Sequence, residues 1–208
     1  DLGWECHYQG HNYIGQTLPP GVKFKDGEEL KFWLYGNGFQ PYSKDLLVPR
    51  IRQIQPDIFG VLLDTFMCWP WFMDLDFAPA RSSFYYPSDG GDIMPLNCEN
   101  ILKKVNLPVA MSRFAQKQVQ DVYGIKTHYI PHAVDIKNYY PLPQEERNQL
   151  RAKWMMADKF VVGVVARNQP RKMLDRTFKA FARFCKDKPD ALLLLHMDPQ
   201  DPASSFDI

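Results

Sequence analysis

The chain has 208 residues, enough for one large or two small domains and for a core that needs no disulfide or metal staple. Its 25 basic and 24 acidic residues leave a formal net charge of +1, which removes the electrostatic case for a nucleic-acid partner. No apolar run approaches the ~20 residues of a membrane-spanning helix. The cysteines, Cys6, Cys68, Cys98 and Cys185, are scattered, with no Cys-x-x-Cys pair and no His at metal spacing. We read them as reduced and mostly buried, and the compartment as cytoplasmic.

In chain order, Gly3 reads as a helix C-cap ahead of a short strand, Trp4 to Tyr8. A Gly- and Pro-rich loop follows to Gly21, then a strand from Lys31 to Tyr35 closed by Gly36-Asn37-Gly38. Tyr42 to Gln55 has the apolar spacing of a helix, which Pro49 bends or begins. Pro56-Asp57 introduces the strand Ile58 to Leu63, ended by Asp64.

The stretch Thr65 to Pro79 is dense in aromatic and apolar residues, among them Phe66, Trp69, Trp71, Phe72 and Phe77. It is either a short helix or loop packed into the core, or an aromatic wall for a sugar ring or a lipid. Asp74-Leu75-Asp76 inside it has the form of a metal-holding triplet, a form that chance also produces.

A strand from Ser82 to Tyr86 ends in Pro87-Ser88-Asp89-Gly90-Gly91, and a helix spans Leu96 to Lys104. The strand Leu107 to Met111 leads to Ser112, an N-cap for the helix Arg113 to Tyr123, which Gly124 ends. Thr127 to Ile130 is a strand, Pro131 to Asp135 a loop, Tyr139 to Pro143 a linker and Gln144 to Lys153 a helix.

Phe160 to Ala166 is a continuous apolar run, the pattern of a buried parallel strand. A polar turn with Pro170 follows. Leu174, Phe178, Phe181, Ala182 and Cys185 then recur at helical spacing, and Ala191 to His196 is a further strand. Arg167 stands at the strand's end and Lys172 at the helix's start. Ligands of open α/β sheets collect at the carboxyl ends of the strands, and helix N-termini favour anions. The two cations suit a phosphate or diphosphate there; otherwise both are ordinary surface cations. The alternation of strands and helices predicts parallel sheets with helices on both faces. The expected division is 1–142 and 143–208.

Tyr129-Ile130-Pro131-His132-Ala133-Val134-Asp135, followed by Tyr140-Pro141, resembles the interdomain segment of GT-B glycosyltransferases. The group is the large retaining one that includes glycogen synthase-like and mannosyltransferase enzymes. Pro56-Asp57-Ile58 with Asp64, Val109-Ala110-Met111-Ser112, and Ala166-Arg167 with Lys172 resemble three further stretches of that family, in the same order. The departures are Ala133 and Met173, where the family usually carries Gly.

The resemblance implies an α/β, GT-B type fold: a Rossmann-like, acceptor-side domain over 1–142, then the first strand, helix and strand of a donor domain. It implies that the family's first strand and Gly-rich loop, and its distant Glu-rich motif, lie outside these 208 residues, so that this stretch alone is expected to be inactive. The implied reaction moves a sugar from a nucleotide-diphosphate sugar to an acceptor hydroxyl, with retention and without metal or other cofactor. Arg167 and Lys172 are then the diphosphate-binding residues. Asp89 is the candidate catalytic residue, with a plain turn role as its alternative. Asp64, Gly90 and His132 are candidates for the acceptor side of the cleft. His132 is equally readable as a structural hydrogen-bonding residue, and Asp135 as a cap or turn residue. The implied partners are the donor and a glycan, lipid or small-molecule acceptor, with peripheral membrane contact allowed. Two other readings stay open: a non-catalytic nucleotide- or phosphate-binding module, and a metal-dependent GT-A-type transferase using Asp74 and Asp76.

Overall fold

The computed structural model of the protein describes residues 2–201 apart from 11, 12, 14, 37–43, 66, 68–71, 74, 75 and 89–95. The chain falls into two units, 1–133 and 134–208. That division lies within the Tyr129–Asp135 segment, ahead of the boundary expected at 142. No described helix is long and apolar enough to cross a membrane.

The first unit contains β1 (His7–Gln9), β2 (Trp33–Tyr35), α1 (Lys44–Ile54), β3 (Ile58–Leu62), β4 (Arg81–Tyr86), α2 (Leu96–Lys104), β5 (Leu107–Ala110), α3 (Arg113–Tyr123) and β6 (His128–Tyr129). β1 and β2 form a parallel pair, with His7 opposite Trp33. β3, β4, β5 and β6 form a parallel sheet in that spatial order, with Val61 opposite Phe84 and Phe84 opposite Pro108. Pro49 lies inside α1 rather than at its start.

Strands that follow one another in space as in sequence, all parallel, are joined by crossovers that step in one direction. Right-handed crossovers of that kind stack their helices on one face. The core obeys this. Val61, Phe84, Tyr86 and Ala110 point to the same side and pack with Leu47 of α1, Cys98, Ile101 and Leu102 of α2, and Ala115 and Val119 of α3. On the other side of β3, Ile58 and Leu62 are 53% and 62% exposed. The described helices thus pack on one face of this sheet; on the other face β3 is exposed, while Val109 of β5, opposite Tyr85, is buried.

Phe72 and Phe77 are buried in this core, their rings 5.0 Å apart, with Phe72 meeting the edge of Phe84 at 5.6 Å. The described part of the aromatic stretch thus packs inward; Phe66, Cys68, Trp69, Trp71 and Asp74 lie outside the described residues. α3 begins where the Ser112 hydroxyl accepts from the Ala115 N–H at 3.0 Å. It ends at Gly124, whose φ of 68° is the left-handed value glycine adopts without penalty.

The second unit contains α4 (Gln144–Lys153), β7 (Phe160–Val165), a 3₁₀ turn (Pro170–Lys172), α5 (Leu174–Phe184) and β8 (Ala191–His196). β7 and β8 pair in parallel, Phe160 opposite Ala191 and Val165 opposite His196. α5 follows the 3₁₀ turn closely, as the apolar spacing predicts, and Leu174 is its buried anchor. β7 departs from expectation in burial. Phe160 and Val165 are exposed, because among the described residues the sheet of this unit has two strands and cannot enclose either.

Candidate functional site

The β7–α5 connection is built of short, self-closing turns. The Gln169 N–H donates to the Arg167 carbonyl at 2.9 Å, the Lys172 N–H to the Gln169 carbonyl at 2.9 Å, and the Met173 N–H to the Pro170 carbonyl at 3.0 Å. This brings Arg167 and Lys172 into one connection at the carboxyl end of β7. Met173 then turns the chain into α5 with φ 50° and ψ 43°, left-handed for a residue that carries a Cβ. At Ala133, the other departure from glycine, φ is not positive, so the substitution brings no left-handed strain.

Arg167 has a partner the sequence did not announce. Its Nε donates to Asp201 Oδ2 at 2.7 Å and a terminal nitrogen to Oδ1 at 2.8 Å. The Asp201 side chain is 5% exposed and that of Arg167 64%. The two hydrogen bonds and the carboxylate charge raise the guanidinium pKa further above its ordinary value. A carboxylate and a phosphate offer the same planar fork a similar pair of oxygens. Asp201 thus shows that the fork accepts a two-oxygen anion and also competes for it. Lys172 has no ion pair among the described residues and is exposed.

The carboxyl end of the four-stranded sheet gathers a second group. Tyr85, near the end of β4 on the face opposite Phe84 and Tyr86, donates its hydroxyl proton to the Ile130 carbonyl at 3.0 Å. The same oxygen lies 3.3 Å from His132 Nδ1, and the two rings meet edge to face at 5.6 Å. Arg113, at the start of α3, lies over the Tyr129 ring at 4.6 Å. Asp64 follows β3, half-buried, its carbonyl accepting from the Met67 N–H at 3.0 Å. Asp89 and Gly90 lie outside the described residues. Asp135 is a turn residue as expected: its carboxylate accepts from the Lys137 N–H at 2.9 Å and the Asn138 amide at 2.7 Å.

A largely apolar cavity of about 470 Å³ is lined by β1, β2, α1, β3 and β4, through Tyr8, Arg50, Ile51, Phe59, Leu62 and Tyr85. Neither Asp64 nor His132 lines it. Among the described residues no group of three or more His, Cys, Asp or Glu is placed to hold a metal. Asp76 instead accepts from the Ala78 N–H at 3.0 Å, closing its own turn. Asp201 and Tyr85 are the site residues missed by the sequence reading. For Tyr85 the β4 alternation carried a signal, since it sets Tyr85 and Tyr86 on opposite faces. For Asp201 there was none, because it reaches Arg167 across 34 positions of chain.

No known protein family and no curated protein matches the chain.

Proposed function

We propose that the protein is a retaining, metal-independent glycosyltransferase of GT-B architecture. It takes a sugar from a nucleotide-diphosphate donor and passes it to an acceptor hydroxyl. The observation that carries the reading is the β7–turn–α5 connection, in which Arg167 and Lys172 share one short loop at the carboxyl end of a parallel strand. The four stretches resembling the retaining family supply the reaction class.

The chemistry follows from the leaving group. Departure of a nucleoside diphosphate builds negative charge on its oxygens. Fixed cations already in place stabilise that charge with little reorganisation. Arg167 supplies a flat two-pronged donor and Lys172 a point charge, which together suit adjacent phosphate groups. A leaving phosphate that takes the acceptor's proton needs no protein nucleophile. On the resemblance alone, Asp89 and Gly90 are the proposed acceptor-edge residues, with Asp64 and His132 as further acceptor-side candidates.

A second reading is favoured by one observation, the occupation of the Arg167 fork by Asp201. On that reading the unit is a non-catalytic phosphate-binding module whose anion site is gated by its own carboxylate. The test is a screen of UDP-, GDP- and ADP-sugars for transfer by the full-length protein, with and without EDTA. Transfer with retained anomeric configuration that survives EDTA supports the transferase. Binding of nucleoside diphosphates with no turnover on any donor supports the module, and turnover abolished by EDTA contradicts metal independence.

A further inference from the structure

The Tyr85 hydroxyl has one proton, and the Ile130 carbonyl 3.0 Å away has none to give. Of its two possible acceptors the carbonyl at 3.0 Å is nearer than the His132 Nδ1 at 3.3 Å, and the hydroxyl donates to the nearer one. Ile130 is itself fixed, since its N–H donates to the Ala110 carbonyl of β5 at 3.1 Å. Tyr85 then turns lone pairs toward the His132 Nδ1, 3.3 Å from its oxygen, a contact that calls for an Nδ1–H donor. A neutral imidazole has a single N–H. With that proton on Nδ1, Nε2 carries the lone pair. The edge-to-face contact, at an interplanar angle of 80°, holds the ring plane. His132 is exposed, and its Nε2 meets no hydrogen-bonding group among the described residues.

We propose that Tyr85 is a positioning residue that holds His132 in the Nδ1–H form and thereby presents Nε2 as a hydrogen-bond acceptor to the hydroxyl of the sugar acceptor. The role toward the acceptor rests on the transferase reading; the tautomer does not. Sugars and other polyols are recognised through O–H groups that need acceptors as well as donors. A histidine fixed in this form offers an acceptor that carries no negative charge.

The experiment has two arms. In the first, the ¹⁵N-labelled 208-residue chain is studied by long-range ¹H–¹⁵N correlation at a pH well above the ordinary imidazole pKa of about 6.5. Wild-type His132 is expected to show a protonated Nδ1 and an unprotonated Nε2. Tyr85→Phe keeps the ring contact, loses the hydroxyl, and is expected to shift His132 toward the Nε2–H form. An Nε2–H pattern in the wild type overturns the inference, whether or not the variant folds; so does a pattern unchanged in a folded Tyr85→Phe chain. In the second arm, Tyr85→Phe in the full-length protein is expected to raise KM for the acceptor by about two- to tenfold, the size of one hydrogen bond, with KM for the donor unchanged. An unchanged acceptor KM overturns the role toward the acceptor. Absence of transfer by the wild type removes that role together with the transferase reading, while the tautomer is still decided by the first arm.

Discussion

The buried carboxylate of Asp201 holds both prongs of the exposed Arg167 guanidinium, at 2.7 and 2.8 Å. Of the two partners the carboxylate is the fixed one, because it is enclosed, while the arginine reaches it from a solvent-facing side chain. An incoming phosphate must therefore share Arg167 with Asp201 or draw it away. Replacing Asp201 by Asn keeps the shape and removes the competing charge. Asp201→Asn is expected to tighten binding of inorganic pyrophosphate a few-fold, measured by calorimetry, and weaker binding would contradict this role.

In the full-length protein, Arg167→Ala or Lys172→Ala is expected to lower kcat/KM by roughly ten- to a hundredfold, since hydrogen bonds to charged groups are stronger than neutral ones. The melting temperature should barely move for Lys172→Ala, whose side chain is exposed, and should fall for Arg167→Ala, which takes two hydrogen bonds from the buried Asp201 carboxylate. Arg167→Lys should recover only part of the loss, as an ammonium lacks the planar two-pronged geometry. Near-wild-type activity in either alanine variant would refute the assigned role.

Met173 sits at φ 50° at the entry to α5, in a conformation that costs an L-residue roughly 1–2 kcal/mol and glycine far less. Its carbonyl still accepts from the Arg176 and Thr177 N–H groups, which any residue there would allow. Met173→Gly should leave stability equal or higher, and Met173→Val should lower it, since branching at Cβ crowds the left-handed region further. Thermal unfolding of the two variants decides it; a Val variant as stable as the Gly variant would show that the turn is not strained.

Cys98 lies in the core between α2 and the sheet, and burial pushes its thiol from 9.0 up to about 12. Burial also pushes the Tyr86 hydroxyl from 10.0 to about 12, against a hydrogen bond to Thr127 that lowers it. For a group whose pKa is raised by folding, the stabilisation is complete below the unfolded value and is lost as pH rises through the folded one. Stability should thus fall from about pH 9 toward about 12, each group adding a slope of at most about 1.4 kcal/mol per pH unit. Urea unfolding midpoints across this range check the sign. Iodoacetamide should label Cys6 readily in the folded chain and Cys98 only on unfolding.

Much of the order of elements was legible because each carries its own local signal. Ser112 and Gly124 bracket α3, and the apolar runs at Phe160 and Ala191 announce β7 and β8. The covering of the sheets was not legible. Phe160 to Ala166 reads as a buried strand, yet no residue of β7 is buried, since an apolar run does not say whether a helix lies over each side. The Arg167–Asp201 pair was hidden for a different reason: it is a tertiary contact, and neither residue's neighbours signal it. Met173 illustrates a third case. Nothing local to a methionine predicts a left-handed turn; only the glycine expected there from the resemblance marked the position.

The most direct measurement is a titration of the 208-residue chain with UDP, GDP and ADP, followed by backbone amide shifts over residues 166–174. The account predicts millimolar-class binding, on the order of −4 kcal/mol, by at least one of the three, with the shifts confined to the β7–α5 connection and abolished by Arg167→Ala together with Lys172→Ala. No shift in this connection with any of the three, or binding that survives loss of both cations, would contradict the claim that Arg167 and Lys172 hold the diphosphate.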